Sequence, residues 1–120
     1  MNITVKSTHQ DLSLSMRELV EEKLSALEKM VGGPHVPATI ECEVEQSMAV
    51  ERAGSKYRAE GNLSVDGKLF RAEAESGTLE GAVDRVRDDL QRELRHSRGR
   101  ERGFLKRGGS ALKRMLRFGR

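Results

Sequence analysis

Tryptophan is absent from this 120-residue chain, and it contains one tyrosine, three phenylalanines, one cysteine and two prolines. With so few aromatics the core must be aliphatic, and the ring platforms on which single-stranded bases stack are scarce. The lone Cys42 cannot form an internal disulfide, and with no second cysteine beside it a thiolate zinc site is disfavoured. No apolar run approaches the ~18 residues that a membrane-spanning helix needs. The opening Met1-Asn2-Ile3-Thr4-Val5-Lys6 starts on a strand-like alternation, without a basic segment followed by an apolar one. These absences predict a cytoplasmic protein in a reducing compartment.

Acid is nearly missing from the C-terminal end. Residues 95–120 hold ten Lys and Arg against Glu101 alone, a formal +9, whereas residues 1–94 hold 12 against 18 Asp and Glu, a formal −6. The overall +3 conceals both. An acidic body does not attract a polyanion through its general field. A nucleic acid or anionic membrane must therefore be met by the tail or by a local basic stripe. The length accommodates one domain and an appendage, predicted as an α+β domain over 1–97 and a basic, disordered tail over 98–120.

Within the domain, Ile3 and Val5 alternate with polar neighbours and predict a first strand. Met16, Val20, Leu24, Leu27 and Val31 follow at helical spacing, flanked by Leu19 and Met30. Ser13 caps this helix, and Gly32-Gly33-Pro34 stops it. Ala38, Ile40, Cys42 and Val44 then alternate with Thr39, Glu41, Glu43 and Glu45, giving a strand with one apolar and one acidic face. Tyr57, Ala59, Gly61, Leu63 and Val65 resume the alternation, and Asp66-Gly67 is a hairpin signal. A two-residue turn sets Leu63 against Phe70 and Glu60 against Glu73, the latter a repulsive pair on the outer face. Thr78 caps a second helix with Leu79, Val83, Val86, Leu90 and Leu94 buried. The order β-α-β-β-β-α predicts a two-layer sandwich, a four-stranded sheet with both helices on one face.

Catalytic patterns are sparse. His9, His35 and His96 lie far apart, with no spacing suited to a helical metal site. Cys42 has no context that lowers its pKa. No glycine-rich phosphate loop is present, since Gly32-Gly33-Pro34 ends a helix and does not begin one. The sequence predicts neither metal, cofactor nor enzymatic activity. The second helix instead carries Arg85, Arg92 and His96 on one stripe, with Asp89 inside it, and Arg87, Gln91 and Arg98 on another. Arg92, Arg95, Arg98, Arg100 and Arg102 run on into the tail, where Lys106 and Arg107 follow. Arginine's planar fork suits bidentate phosphate contacts, so this edge is a candidate RNA-binding surface.

The chain resembles the ribosome hibernation-promoting factor and ribosome-associated inhibitor family, also called sigma-54 modulation proteins. The resemblance rests on Met1-Asn2-Ile3, on the helix from Arg17 to Met30, and on Val65-Asp66-Gly67 through Leu69-Phe70-Arg71-Ala72-Glu73-Ala74. Ala82-Val83-Asp84 and Leu90-Gln91-Arg92-Glu93-Leu94 complete it. It implies a non-enzymatic factor of the short form that binds the small ribosomal subunit and its rRNA between head and body, where mRNA and tRNA would lie. Such a factor inhibits translation in stress or stationary phase. The matching rRNA-binding positions are Lys23, Lys29, Arg92 and His96, to which the charge pattern adds Arg85, Arg95, Arg98, Arg100, Arg102, Lys106 and Arg107. Ala26 and Asp89 stand where family members usually carry lysine, which implies weaker binding by the body.

Two other classes fit parts of the chain. Ser110 to Phe118 has the pattern of a short amphipathic helix, with Leu112, Met115 and Leu116 opposite Lys113, Arg114 and Arg117. A protein-interaction module with a membrane- or partner-binding tail would use it. A generic duplex-RNA binder is the other, and it would bind free duplexes as well as it binds ribosomes.

Overall fold

The computed structural model describes residues 1–8, 11–33, 35–46 and 56–97. Four strands, β1 (Asn2–Thr8), β2 (Ala38–Gln46), β3 (Tyr57–Val65) and β4 (Lys68–Ser76), form one sheet in chain order. β1 runs parallel to β2, and the crossover between them carries α1 (Leu14–Ser25) and α2 (Leu27–Val31). The remaining strands are an antiparallel meander, and α3 occupies 79–97. His9, the 98–120 tail with its 110–118 helix pattern, and the cations from Arg98 onward lie outside the described residues.

Alternation puts Val5, Ile40, Cys42, Val44, Ala59, Leu63 and Ala72 on the inner sheet face. There they form one cluster with Val20, Leu24, Leu27 and Val31 from the first helical segments and Leu79, Ala82, Val83, Val86, Leu90 and Leu94 from α3. Both helical stripes therefore cover the same face, as the sandwich requires. Among the described residues no polar or charged side chain is buried. The hairpin register pairs Leu63 with Phe70 and Gly61 with Ala72, and the turn has Asp66 at φ 47° and Gly67 at φ 83°. Positive φ at both central positions is the type I′ geometry whose twist suits a two-residue hairpin.

The first helix is interrupted where its apolar stripe gives no sign of a break. The Ser25 hydroxyl donates to the Glu22 carbonyl at 2.6 Å, taking the acceptor that the Ala26 N–H would use in a continuous helix. The Ala26 N–H turns to the Leu24 carbonyl instead, and α2 restarts at Leu27 with its buried face in phase. The other boundaries follow the sequence. Ser13 Oγ accepts from the Met16 N–H at 3.2 Å, Gly32 closes α2 at φ 114°, and Thr78 Oγ1 accepts from the Gly81 N–H at 3.0 Å.

On the outer sheet face Glu60 does stand opposite Glu73, but the expected repulsion is not what the side chains show. Arg58 lies 2.8 Å from Glu73 and 3.4 Å from Glu60, and Arg71 lies 3.0 Å from each. The neighbouring cations reach diagonally, and the four residues make an alternating ion-pair ring. The Arg58 guanidinium holds the Glu73 carboxyl below the usual carboxylate range, mainly through their hydrogen bond.

Candidate nucleic-acid interface

The helical layer positions the predicted contact residues, and its charge is not basic. It carries Arg17, Lys23, Lys29, Arg85, Arg87, Arg92 and Arg95 against Glu18, Glu21, Glu22, Glu28, Glu80, Asp84, Asp88, Asp89 and Glu93. The outer sheet face, with Lys6, Arg58 and Arg71 against Glu41, Glu43, Glu45, Glu60, Glu73 and Glu75, is negative as well. Excess carboxylate is thus shared by both layers. What a phosphate would meet on the helices is decided side chain by side chain.

Lys23 is only 20% exposed, and its ammonium lies 2.8 Å from Asp84 of α3. This ion pair ties α1 to α3. Arg87, three residues further along α3, also reaches Asp84 at 3.4 Å and places its guanidinium on Asp88 at 3.1 and 3.2 Å. Arg92 is held by Asp89, one turn before it. Arg85 sits on the other flank of α3 and donates to the Glu75 carbonyl of β4 at 3.1 Å, and it has no carboxylate partner among the described residues. Lys29, Arg95 and His96 are exposed, and neither Lys29 nor Arg95 has an ion-pair partner among the described residues.

Four of the predicted positions therefore fall on two opposite flanks of α3. At about 100° per residue, Arg85, Arg92 and His96 share the flank of α3 that faces β4. Lys23 meets the opposite flank, through Asp84. Arg87 belongs with Lys23, and the sequence reading did not select it. The signal for it was the Asp84-x-x-Arg87-Asp88 spacing, which puts a cation within reach of two carboxylates on one helix side.

Among the described residues no group of three His, Cys, Asp or Glu is placed to hold a metal. Cys42 is 1% exposed, and burial pushes its thiol up to about 12. A depression of about 340 Å³ at the hairpin end is lined by Asn2, Pro37, Ala38, Thr39, Ser64, Asp66 and Gly67, with Asp66 its sole ionisable side chain. No helix among the described residues is long and apolar enough to cross a membrane.

Residues 3–102 match the family described as sigma 54 modulation protein / S30EA ribosomal protein. The chain belongs to this family. Among solved structures, this S30EA-family chain is similar to the N-terminal domain of Protein Y from Thermus thermophilus. The two share 25% identity with a TM-score of 0.67, over 80% of this chain and 98% of that one. It is also similar to a ribosomal subunit interface protein from Coxiella burnetii, at 22% identity and a TM-score of 0.63, over 82% and 99% of the two chains. The second likeness speaks to the fold alone. No curated protein sequence matches the chain. The α+β sandwich expected from the sequence is the fold found, and the β3–β4 register is the one that the Asp66-Gly67 turn predicts.

Proposed function

We propose that the protein is a ribosome hibernation factor. In this reading it docks on the small subunit between head and body, occupies the mRNA and tRNA path, and holds translation off during stress or stationary phase. The observation that carries the reading is family membership across residues 3–102. The candidate site agrees with it in kind. Lys29, Arg85 and Arg95 have no carboxylate partner among the described residues of the helical layer, and residues 98–120 add nine Lys and Arg against Glu101. The body supplies shape, and the tail supplies much of the salt-dependent attraction to rRNA. No bond is made or broken in this role; it works by occupation in the cytoplasm.

Sedimentation tests the reading. Lysate from stationary cells, resolved on a low-salt sucrose gradient, should show the protein with small subunits or whole ribosomes, and the purified protein should inhibit translation in a cell-free system. Protein left at the top of the low-salt gradient overturns the proposal. Truncation after Ser97 should weaken cosedimentation at moderate salt, and unchanged binding would remove the tail from the site. Flotation with anionic vesicles in the absence of ribosome binding would favour the interaction-module reading instead.

A further inference from the structure

Apart from Arg17, which donates to the Val5 carbonyl, the cations of the helical layer divide evenly into two kinds. Lys29, Arg85 and Arg95 have no carboxylate partner among the described residues, whereas Lys23, Arg87 and Arg92 are each held by one or more aspartates. All of those aspartates lie on α3, within the six residues from Asp84 to Asp89. The acids of α1 do nothing comparable. Glu18 and Glu22 are exposed with no ion pair among the described residues, and so is Glu80 at the start of α3.

We infer that Asp84, Asp88 and Asp89 act as a carboxylate screen that sets the selectivity of this face toward RNA. A carboxylate on a guanidinium or ammonium group is a stand-in for a phosphate, offering oxygen acceptors and negative charge in the same place. A flexible RNA strand that approaches Lys23, Arg87 or Arg92 must displace the aspartate and remain beside it, so attraction to the cation is offset by repulsion from its partner. Single exposed ion pairs are weak, and this makes the screen graded. A rigid surface that straddles α3 and presents phosphates at fixed positions engages Lys23 and Arg87 on one flank and Arg92 on the other together, while a loose strand meeting one at a time gains nothing. The screen thus rejects free RNA without abolishing the site, a repulsive element of the kind that specific binding requires. It also gives Asp89 a role. On α3 it masks Arg92.

The inference concerns free RNA and stands whether or not the ribosome reading holds. The test compares the whole chain with a triple variant, Asp84→Asn, Asp88→Asn and Asp89→Asn, and with a charge-matched control, Glu18→Gln, Glu22→Gln and Glu80→Gln. Each is titrated with a labelled oligouridine of about 20 nucleotides, from about 50 mM salt upward. The asparagine variant should bind about tenfold more tightly at the low-salt end. Its log–log salt slope should steepen by about 2, from ~0.7 for each of three freed cations on a single strand. The control, which raises net charge by the same amount, should stay near the wild type. Equal tightening in both variants reduces the effect to net charge and overturns the proposal, as does an asparagine variant that binds like the wild type. Circular dichroism of each variant establishes that the fold is retained. Should the triple variant fail to fold, Asp89→Asn alone, on the exposed flank, should tighten binding and steepen the slope by about 0.7.

Discussion

Replacing Gly61 with alanine probes how closely α3 lies on the sheet. Gly61 is in the middle of β3 with its backbone against the helix, and a Cβ added there would stand 2.7 Å from Val86 Cγ1 and 3.2 Å from Leu90 Cδ1. Carbon atoms pack at about 3.5–4.0 Å, so the helix must withdraw or a side chain must leave its rotamer. Val86 is β-branched and has one dominant rotamer in a helix, which leaves withdrawal. Overpacking of this kind costs about 1–3 kcal/mol. The stiffer unfolded chain offsets about 0.5–1 kcal/mol of that. At the middle of these ranges the net expectation is a loss of about 1 kcal/mol, and each kcal/mol lowers Tm by about 4–8 °C in a domain of this size. Urea denaturation followed by far-ultraviolet circular dichroism suits a protein without tryptophan. Val86→Ala alone should also destabilise, by about 2 kcal/mol, through lost methyl burial and a cavity. In the double variant the methyl introduced at Gly61 fills part of that cavity, so the two single losses should add to about 1 kcal/mol more than the double variant shows. A Gly61→Ala protein as stable as the wild type, or strictly additive losses, would refute the close-approach argument.

Cys42 should give stability a high-pH limb. Its folded thiol is pushed up to about 12 by burial, while an unfolded thiol ionises near ~8.5; stability is therefore intact below ~8.5 and falls as pH rises toward 12, by at most ~1.4 kcal/mol per unit. Cys42→Ala should flatten that limb in denaturation curves taken from pH 8 upward, and an unchanged slope contradicts the assignment. For Glu73 the sign is reversed. Its depressed pKa means a stabilising contribution present above the unfolded carboxylate value and lost as pH falls through the folded one. Arg58→Gln should accordingly raise the Glu73 titration midpoint followed by carboxyl-carbon NMR. Gly67 has φ 83° with open space around its Cβ direction, so Gly67→Ala should cost about 1–2 kcal/mol from backbone strain alone. Gly67→Asn should recover part of it, because asparagine tolerates that conformation. Equal denaturation midpoints for the two would show that strain is not the cause.

Elements fixed by periodicity were legible in the chain. The alternation from Ala38 to Val44 implied a one-sided strand with Cys42 inward, Asp66-Gly67 set the register of two strands at once, and the Leu79-to-Leu94 stripe told which side of α3 is covered. What escaped depends on side chains choosing partners across space. Nothing in the Val20-to-Val31 stripe announces that the Ser25 hydroxyl will capture a helix carbonyl. Register alone made Glu60 and Glu73 antagonists, whereas Arg58 and Arg71 reach them from neighbouring rows and offset the repulsion. Lys23 was legible as a surface cation. Its capture by Asp84, 61 positions away, follows only from the packing of α1 against α3. Gly61 read only as one member of the Tyr57-to-Val65 alternation, and the structure supplies the steric reason for a glycine there.

The negative balance of the helical layer has a kinetic consequence. A domain whose two layers both carry excess carboxylate is repelled by a polyanion at every range beyond contact, and repulsion of this sort weakens as salt shortens the Debye length. The basic segment after Ser97 reverses the sign of the whole chain. Added salt should therefore slow RNA encounter by the full-length protein and quicken it for residues 1–97. One polypeptide would give opposite ionic-strength responses according to where it is cut, and this would identify the tail as the part that makes first contact.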